Sequence, residues 1–225
     1  MLSRHEEKYI IDYRQYAMLR QRAMELLTPD PHGNMGSYVI TSLYYDDFYD
    51  HALDEKLDGL PEHSKFRIRT YDYTDRTIKL ERKDKHGILT KKQAATIFRE
   101  QIPRLDGTNT ELDAFSGKAG EIAAQIKAGN YKPVVAVRYR RDAFFFSGSD
   151  LRLTFDTNLE TIGPNAEALF SARVTGFPVL DANSVIMEIK YGSHIPSFVR
   201  KFTAVHSKQL SVSKYALCRE ILAGR

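Results

Sequence analysis

The chain has 225 residues, 42% of them apolar and 28% charged, which allows one buried core and excludes a chain that is low-complexity or disordered by composition. A single cysteine, Cys218, excludes a disulfide framework and a thiolate zinc site, and points to a reducing cytoplasmic compartment. The net charge of +4 is mild, no apolar run approaches a membrane span, and the charged start lacks a signal-peptide pattern, so a soluble protein without membrane insertion is expected.

Residues 6–11 read as a strand. Asp12 follows as an N-cap, with Gln15 completing a capping box, and Tyr13, Tyr16, Ala17, Met24 and Leu27 recur at helical spacing until Pro29. After a turn-rich loop, 39–45 is a second strand and 48–57 a short helix, punctuated by Asp58-Gly59-Leu60-Pro61. Strands at 66–71, 77–83 and 88–98 come in quick succession with hairpin-length links. A helix spans 111–128 and stops at Gly129. Further strands occupy 134–146, 151–156 and 185–191, and Ser211 is placed to cap a last helix through Leu222. Strands dominate, and short links imply antiparallel pairing.

Side chains alternate across a strand, so charges two apart share a face. Arg4, Glu6 and Lys8 form one such set; Arg67 and Arg69, Lys79, Glu81 and Lys83, and Glu188 and Lys190 form three more, each with mostly apolar residues opposite. An antiparallel sheet with one wet face produces the same alternation. These faces, however, carry almost only Arg and Lys with an occasional Glu. Rows of cations across a sheet repel, and a multivalent anion offsets that repulsion. Glu6, Glu81 and Glu188 either pair with the cations or hold Mg2+ or Mn2+. Closure of the strands into a barrel would make the charged face its lumen.

His5, His51, His63 and His194 lack metal-ligand spacing and read as structural or surface residues. The run Phe144-Phe-Phe146 reads as a buried strand end. Asp156 is open between a second metal ligand and a turn-capping carboxylate.

The segments Arg4-His-Glu-Glu-Lys8-Tyr9, Ser42-Leu-Tyr-Tyr-Asp46, Arg67-Ile-Arg69, Leu80-Glu-Arg-Lys83, Tyr139-Arg-Arg141-Asp-Ala-Phe144, Arg152-Leu-Thr-Phe-Asp156-Thr, Met187-Glu188-Ile-Lys190 and Ser213-Lys214-Tyr215 occur in an order that resembles the VTC-type polyphosphate polymerase domain. That family belongs to the triphosphate tunnel metalloenzyme superfamily, with the CYTH enzymes as relatives. The resemblance covers nearly the whole chain. It implies a single domain over 1–225 with a closed eight-stranded antiparallel β-tunnel and flanking helices, an α+β fold. It also implies transfer of the terminal phosphate of ATP onto polyphosphate, with Mn2+ or Mg2+ as cofactor.

Carried over by position, Arg4, Lys8, Arg67, Arg69, Lys83, Arg141, Arg152 and Lys214 match phosphate-contacting residues, and Glu188 matches the metal-binding glutamate. Lys92, or Lys91, matches a further tunnel lysine. Arg4 stands where the wider superfamily often has a glutamate, which favours the polymerase-like branch. Ser211 replaces a second lysine of the polymerase relatives. Alternation puts Arg141 on the face opposite Arg138 and Arg140, and the Tyr-x-Arg match selects Arg141.

Phosphoryl transfer rests on positioning and charge stabilisation. Arg67, Arg69, Lys83, Arg141 and Arg152 are therefore expected to act catalytically on the phosphate oxygens, with Arg4, Lys8, Lys92, Lys190 and Lys214 as substrate-binding cations and Glu188 and Glu6 on the metal. Lys8 and Lys214 would neutralise the leaving group or steer the product. The rivals are a tripolyphosphatase or nucleoside triphosphatase of the same fold and a non-catalytic sensor of polyphosphate or inositol phosphates. A single-stranded nucleic-acid binder is disfavoured by the scarcity of aromatics on the basic faces. A separate membrane protein is the expected partner for any export, beside ATP and polyphosphate themselves.

Overall fold

The computed structural model describes residues 5–87, 89–204 and 213–224, so Arg4 and Ser211 lie outside the described residues. Strand β1 (His5–Asp12) runs directly into helix α1 (Tyr13–Leu26). The capping box at that junction forms: Gln15 N–H donates to the Asp12 carboxylate at 2.7 Å, and Asp12 N–H donates to Gln15 Oε1 at 3.0 Å. The short β2 (Thr28–Pro29) precedes β3 (Ser37–Asp46) and α2 (His51–Leu57). The hairpin-linked strands are β4 (Glu62–Tyr71), β5 (Thr74–His86) and β6 (Leu89–Ile97).

The helix expected from residue 111 begins later. Three 3-10 turns, Arg99–Arg104, Gly107–Asn109 and Leu112–Ala114, come before α3 (Gly117–Ala128). Pro103 lies inside the first turn, and Gly107 has φ +52°, a left-handed conformation that a regular α-helix does not contain. Then come β7 (Lys132–Phe145), β8 (Arg152–Ile162), a 3-10 turn at Ala166–Leu169, the short β9 (Phe177–Pro178) and β10 (Ser184–Tyr191). The chain ends in α4 (Ser197–Thr203), which the sequence reading did not contain, and α5 (Lys214–Leu222), capped by Ser213 accepting from Ala216 N–H.

The ten strands form one antiparallel sheet in the order β1-β10-β8-β7-β3-β4-β5-β6, with β2 on β7 and β9 on β8. This corrects the expected closed eight-stranded tunnel. Among the described residues β1 pairs only with β10 and β6 only with β5, so the two ends of the ladder do not meet. The physical reason for the error is that in/out alternation is the same in an open sheet and a closed one. It marks faces and carries no information on whether the outer strands pair.

The chain divides into two compact units. The first comprises 1–39, 139–159 and 180–212; the second comprises 40–138, 160–179 and 213–225. In the first, Ile11, Leu153, Phe155, Val185, Met187 and Ile189 pack with Leu19 and Ala23 of α1 and Val199 and Phe202 of α4. Phe144 is fully buried there, as its position at a strand end suggests. In the second, Phe66, Ile68, Ile78, Leu80 and Ile97 pack with Ile122, Ala123 and Ile126 of α3. In both units the apolar residues occupy alternate strand positions, which turns the intervening polar residues to the other face.

Candidate functional site

In the second unit the core side of β4 and β5 is taken by Phe66, Ile68, Ile78 and Leu80, so the other side presents Lys65, Arg67 and Arg69 on β4 and Lys79, Glu81, Lys83 and Lys85 on β5. Register places Arg67 opposite Glu81, Arg69 opposite Lys79, and Lys83 between Lys65 and Lys92. Lys92 therefore shares the face of Lys83, whereas Lys91 sits opposite Asp84 on the other face. Glu81 is the buried acid among these cations. Arg67 approaches it at 2.7 Å and Lys92 at 2.5 Å. Burial pushes the Glu81 carboxyl up, but Arg67, Arg69 and Lys92 outweigh it and hold the group at about 2.

Two hydroxyls of β3 join this face. Arg69 Nε donates to Ser42 Oγ at 3.1 Å, and Arg67 Nη1 donates to the Tyr44 hydroxyl at 2.9 Å. Lys214, the first residue of α5, acts electrostatically on Tyr44 together with Arg67 and Arg69. The neighbouring Tyr215 packs its ring at a tilt against Tyr44 and donates its hydroxyl to Asp46, while Arg219 Nη2 meets Asp50 at 2.7 Å. These contacts seat α5 so that its first turn lies by the cations.

The first unit gathers a different set. Across β10 and its neighbours, Lys8 stands opposite Glu188, Glu6 opposite Lys190, Lys190 opposite Arg152, and Thr154 opposite Glu188. Arg141 of β7 forms a two-pronged pair with Asp156, Nε and Nη2 each at 2.7 Å, and Nη2 lies 3.6 Å from Glu188. Arg141 is buried, which disfavours its charge, yet Asp156 and Glu188 raise its pKa well above the ordinary value. Asp156 is thus a buried anchor for Arg141 within a strand, not a turn cap. Arg152 Nη2 meets Asp30 at 2.7 Å and the Tyr38 hydroxyl at 2.8 Å. Arg140 donates instead to Ser37, and in the second unit Arg138 donates to the carbonyls of Ala168, Ser171 and Val174.

No cluster of three or more His, Cys, Asp or Glu suited to a metal exists among the described residues. A divalent ion of the Mg2+ or Mn2+ kind needs less from protein, since one or two carboxylates suffice when phosphate and water complete its shell. Glu6 and Glu188 meet that requirement. Both converge on one cationic point, the Lys190 ammonium, at 3.2 and 3.0 Å. Beside them the Thr154 hydroxyl is buried with no hydrogen-bond partner, an orphan that an oxygen-rich group at Glu188 would satisfy. The donor set fits the ion.

The structure brings Arg67, Arg69, Lys83, Lys92 and Lys214 together in one unit, and Arg141, Arg152, Lys8, Lys190, Glu6 and Glu188 in the other. Arg4 lies outside the described residues. Sequence reasoning missed Lys65, although it lies two residues before Arg67 in the same alternation. It also missed Tyr44, Thr154 and Asp30, whose uncharged or off-strand character gave no charge pattern to follow.

The VTC domain family matches residues 3–223. No curated protein matches this chain. Among solved structures, the PH1819 protein of Pyrococcus horikoshii superposes with a TM-score of 0.52 at 12% identity, covering 99% of each chain. A Bacillus halodurans protein provisionally assigned as an adenylate cyclase gives 0.53 at 10% identity, covering 94% of this chain and 96% of that one. At such identities the similarity is one of fold. The family match spans almost all of the sequence, and the chain belongs to the VTC domain family.

Proposed function

We propose that this protein is a metal-dependent phosphotransferase that synthesises inorganic polyphosphate from ATP. The observation that carries the reading is the face of β4, β5 and β6, which gathers Lys65, Arg67, Arg69, Lys79, Lys83, Lys85 and Lys92, with Arg67 and Lys92 paired to the buried Glu81. A chain of phosphates complements such a row, one charge or more per phosphoryl group. Membership of the VTC domain family supports the same substrate class.

In this reading Arg67 and Arg69 fork onto the non-bridging phosphate oxygens, already aimed by Glu81, Tyr44 and Ser42. Lys83 and Lys92 add point charges, and Lys214 adds another from the start of α5. Within the first unit, Arg141, paired to Asp156, and Arg152, with Lys190 and Lys8, form that unit's own set of phosphate-binding cations. Glu188 and Glu6 would hold the divalent ion, which supplies charge neutralisation to phosphoryl oxygens when bound. No protein nucleophile is needed. The terminal oxygen of the growing chain bonds to the γ-phosphorus as the β–γ bridge breaks, and ADP leaves with that bridging oxygen.

Incubation with ATP and Mn2+, resolved on a gel, tests the reading. Long anionic chains with stoichiometric ADP are expected. Orthophosphate alone would replace this reading with a hydrolase, and binding without turnover would replace it with a sensor.

A further inference from the structure

Tyr44 sits directly across from Arg67 and accepts its Nη1 hydrogen bond at 2.9 Å, which occupies one lone pair of the phenol. The phenolic proton itself has no acceptor among the described residues. The hydroxyl is not free to seek one elsewhere, because the ring is buried, packed at a tilt of 34° against Tyr215 with centroids 5.1 Å apart, and covered by the Arg67 guanidinium 5.7 Å from its centre. Tyr215 is fixed in turn by its bond to Asp46. Around the hydroxyl stand Arg67, Arg69 and Lys214. Burial alone would push the phenol up, yet these cations bring it below its ordinary value, so the surroundings favour negative oxygen at this spot. A buried donor without an acceptor is costly unless a ligand completes it.

We infer that Tyr44 is a direct substrate contact whose O–H donates to a phosphoryl oxygen held by Arg67 and Arg69. The inference rests on the phosphate-binding reading of this face and adds to it an uncharged, pre-aimed donor. Arg67 and Arg69 supply the charge. Tyr44 supplies a fixed direction, so it sets where along the face a phosphoryl group stops.

The test is titration calorimetry with tripolyphosphate in metal-free buffer on four proteins: wild type, Tyr44→Phe, Arg67→Ala and the double variant. Phenylalanine keeps the ring and its packing against Tyr215, and circular dichroism checks the fold of each protein. Loss of one hydrogen bond to a charged acceptor predicts a dissociation constant raised about ten- to hundredfold in Tyr44→Phe. Because Tyr44 also orients Arg67, the deciding comparison is made without that arginine. A further loss of tenfold or more on adding Tyr44→Phe to Arg67→Ala supports direct contact. No further loss shows that Tyr44 acts only through Arg67 and overturns the inference, as does unchanged binding in Tyr44→Phe alone. Absence of tripolyphosphate binding in the wild type overturns the reading of the face itself, a separate failure.

Discussion

Glu81 has its pKa brought down to about 2 by three cations in spite of burial. A carboxylate whose folded pKa lies below its unfolded value contributes stability above the unfolded value, near 4.5, and loses it as the pH falls toward 2. Urea denaturation at stepped pH should therefore show stability falling across that window, and Glu81→Gln should flatten the fall. Parallel curves for the two proteins would show that the cations gain nothing from Glu81. Asp156 gives a second expectation. Asp156→Ala leaves buried Arg141 without its two-pronged partner and should cost about 3–5 kcal/mol, read from the denaturation midpoint. Arg67→Ala should lower turnover by on the order of 10²-fold while the fold persists, checked by ADP release. Much of this was legible in the sequence, because charge alternation gives the face of each Arg and Lys. Tyr44 and Thr154 were not legible. Their importance comes from missing hydrogen-bond partners, which only cross-strand neighbours reveal.

At the scale of elements, local signals succeeded where the chemistry was local. The Asp12–Gln15 capping box fixed the start of α1, and the hairpin links placed β4, β5 and β6 in sequence. Asp12→Ala should cost about 1 kcal/mol and lower the melting temperature by about 2–4 °C, with tripolyphosphate binding unchanged. Ile122 of α3 is fully buried against β5 and β6, so Ile122→Ala should cost about 2–5 kcal/mol by the same measurement. Local signals failed for α4, whose seven residues carry one short apolar stripe, Val199 and Phe202. They failed again at residues 111–116, where the apolar spacing continued backward through 3-10 turns that a helical period does not distinguish.

For the whole molecule, the sequence identified the family and the faces of the strands but not the topology of the sheet's ends. The ladder carries β1 and β6 at its two ends, and pairing of end strands depends on curvature summed over every strand, a quantity no single segment encodes. The division into two units was likewise invisible, since β3, β7 and β8 each contribute residues to both. The charge distribution separates the units: Arg141, Lys190, Lys8 and Arg152 are matched by Asp156, Glu188, Glu6 and Asp30, whereas the described strands β4, β5 and β6 present more cations than acids on the face of Arg67 and Glu81. That surplus is what a phosphate chain satisfies. Calorimetry of tripolyphosphate and orthophosphate against the wild type and an Arg67→Ala/Arg69→Ala variant, over rising salt, tests it directly. The account predicts much tighter binding of tripolyphosphate, weakened by salt, and a loss of about a hundredfold or more in the variant with its fold intact. Equal affinity of the two proteins for tripolyphosphate would contradict it.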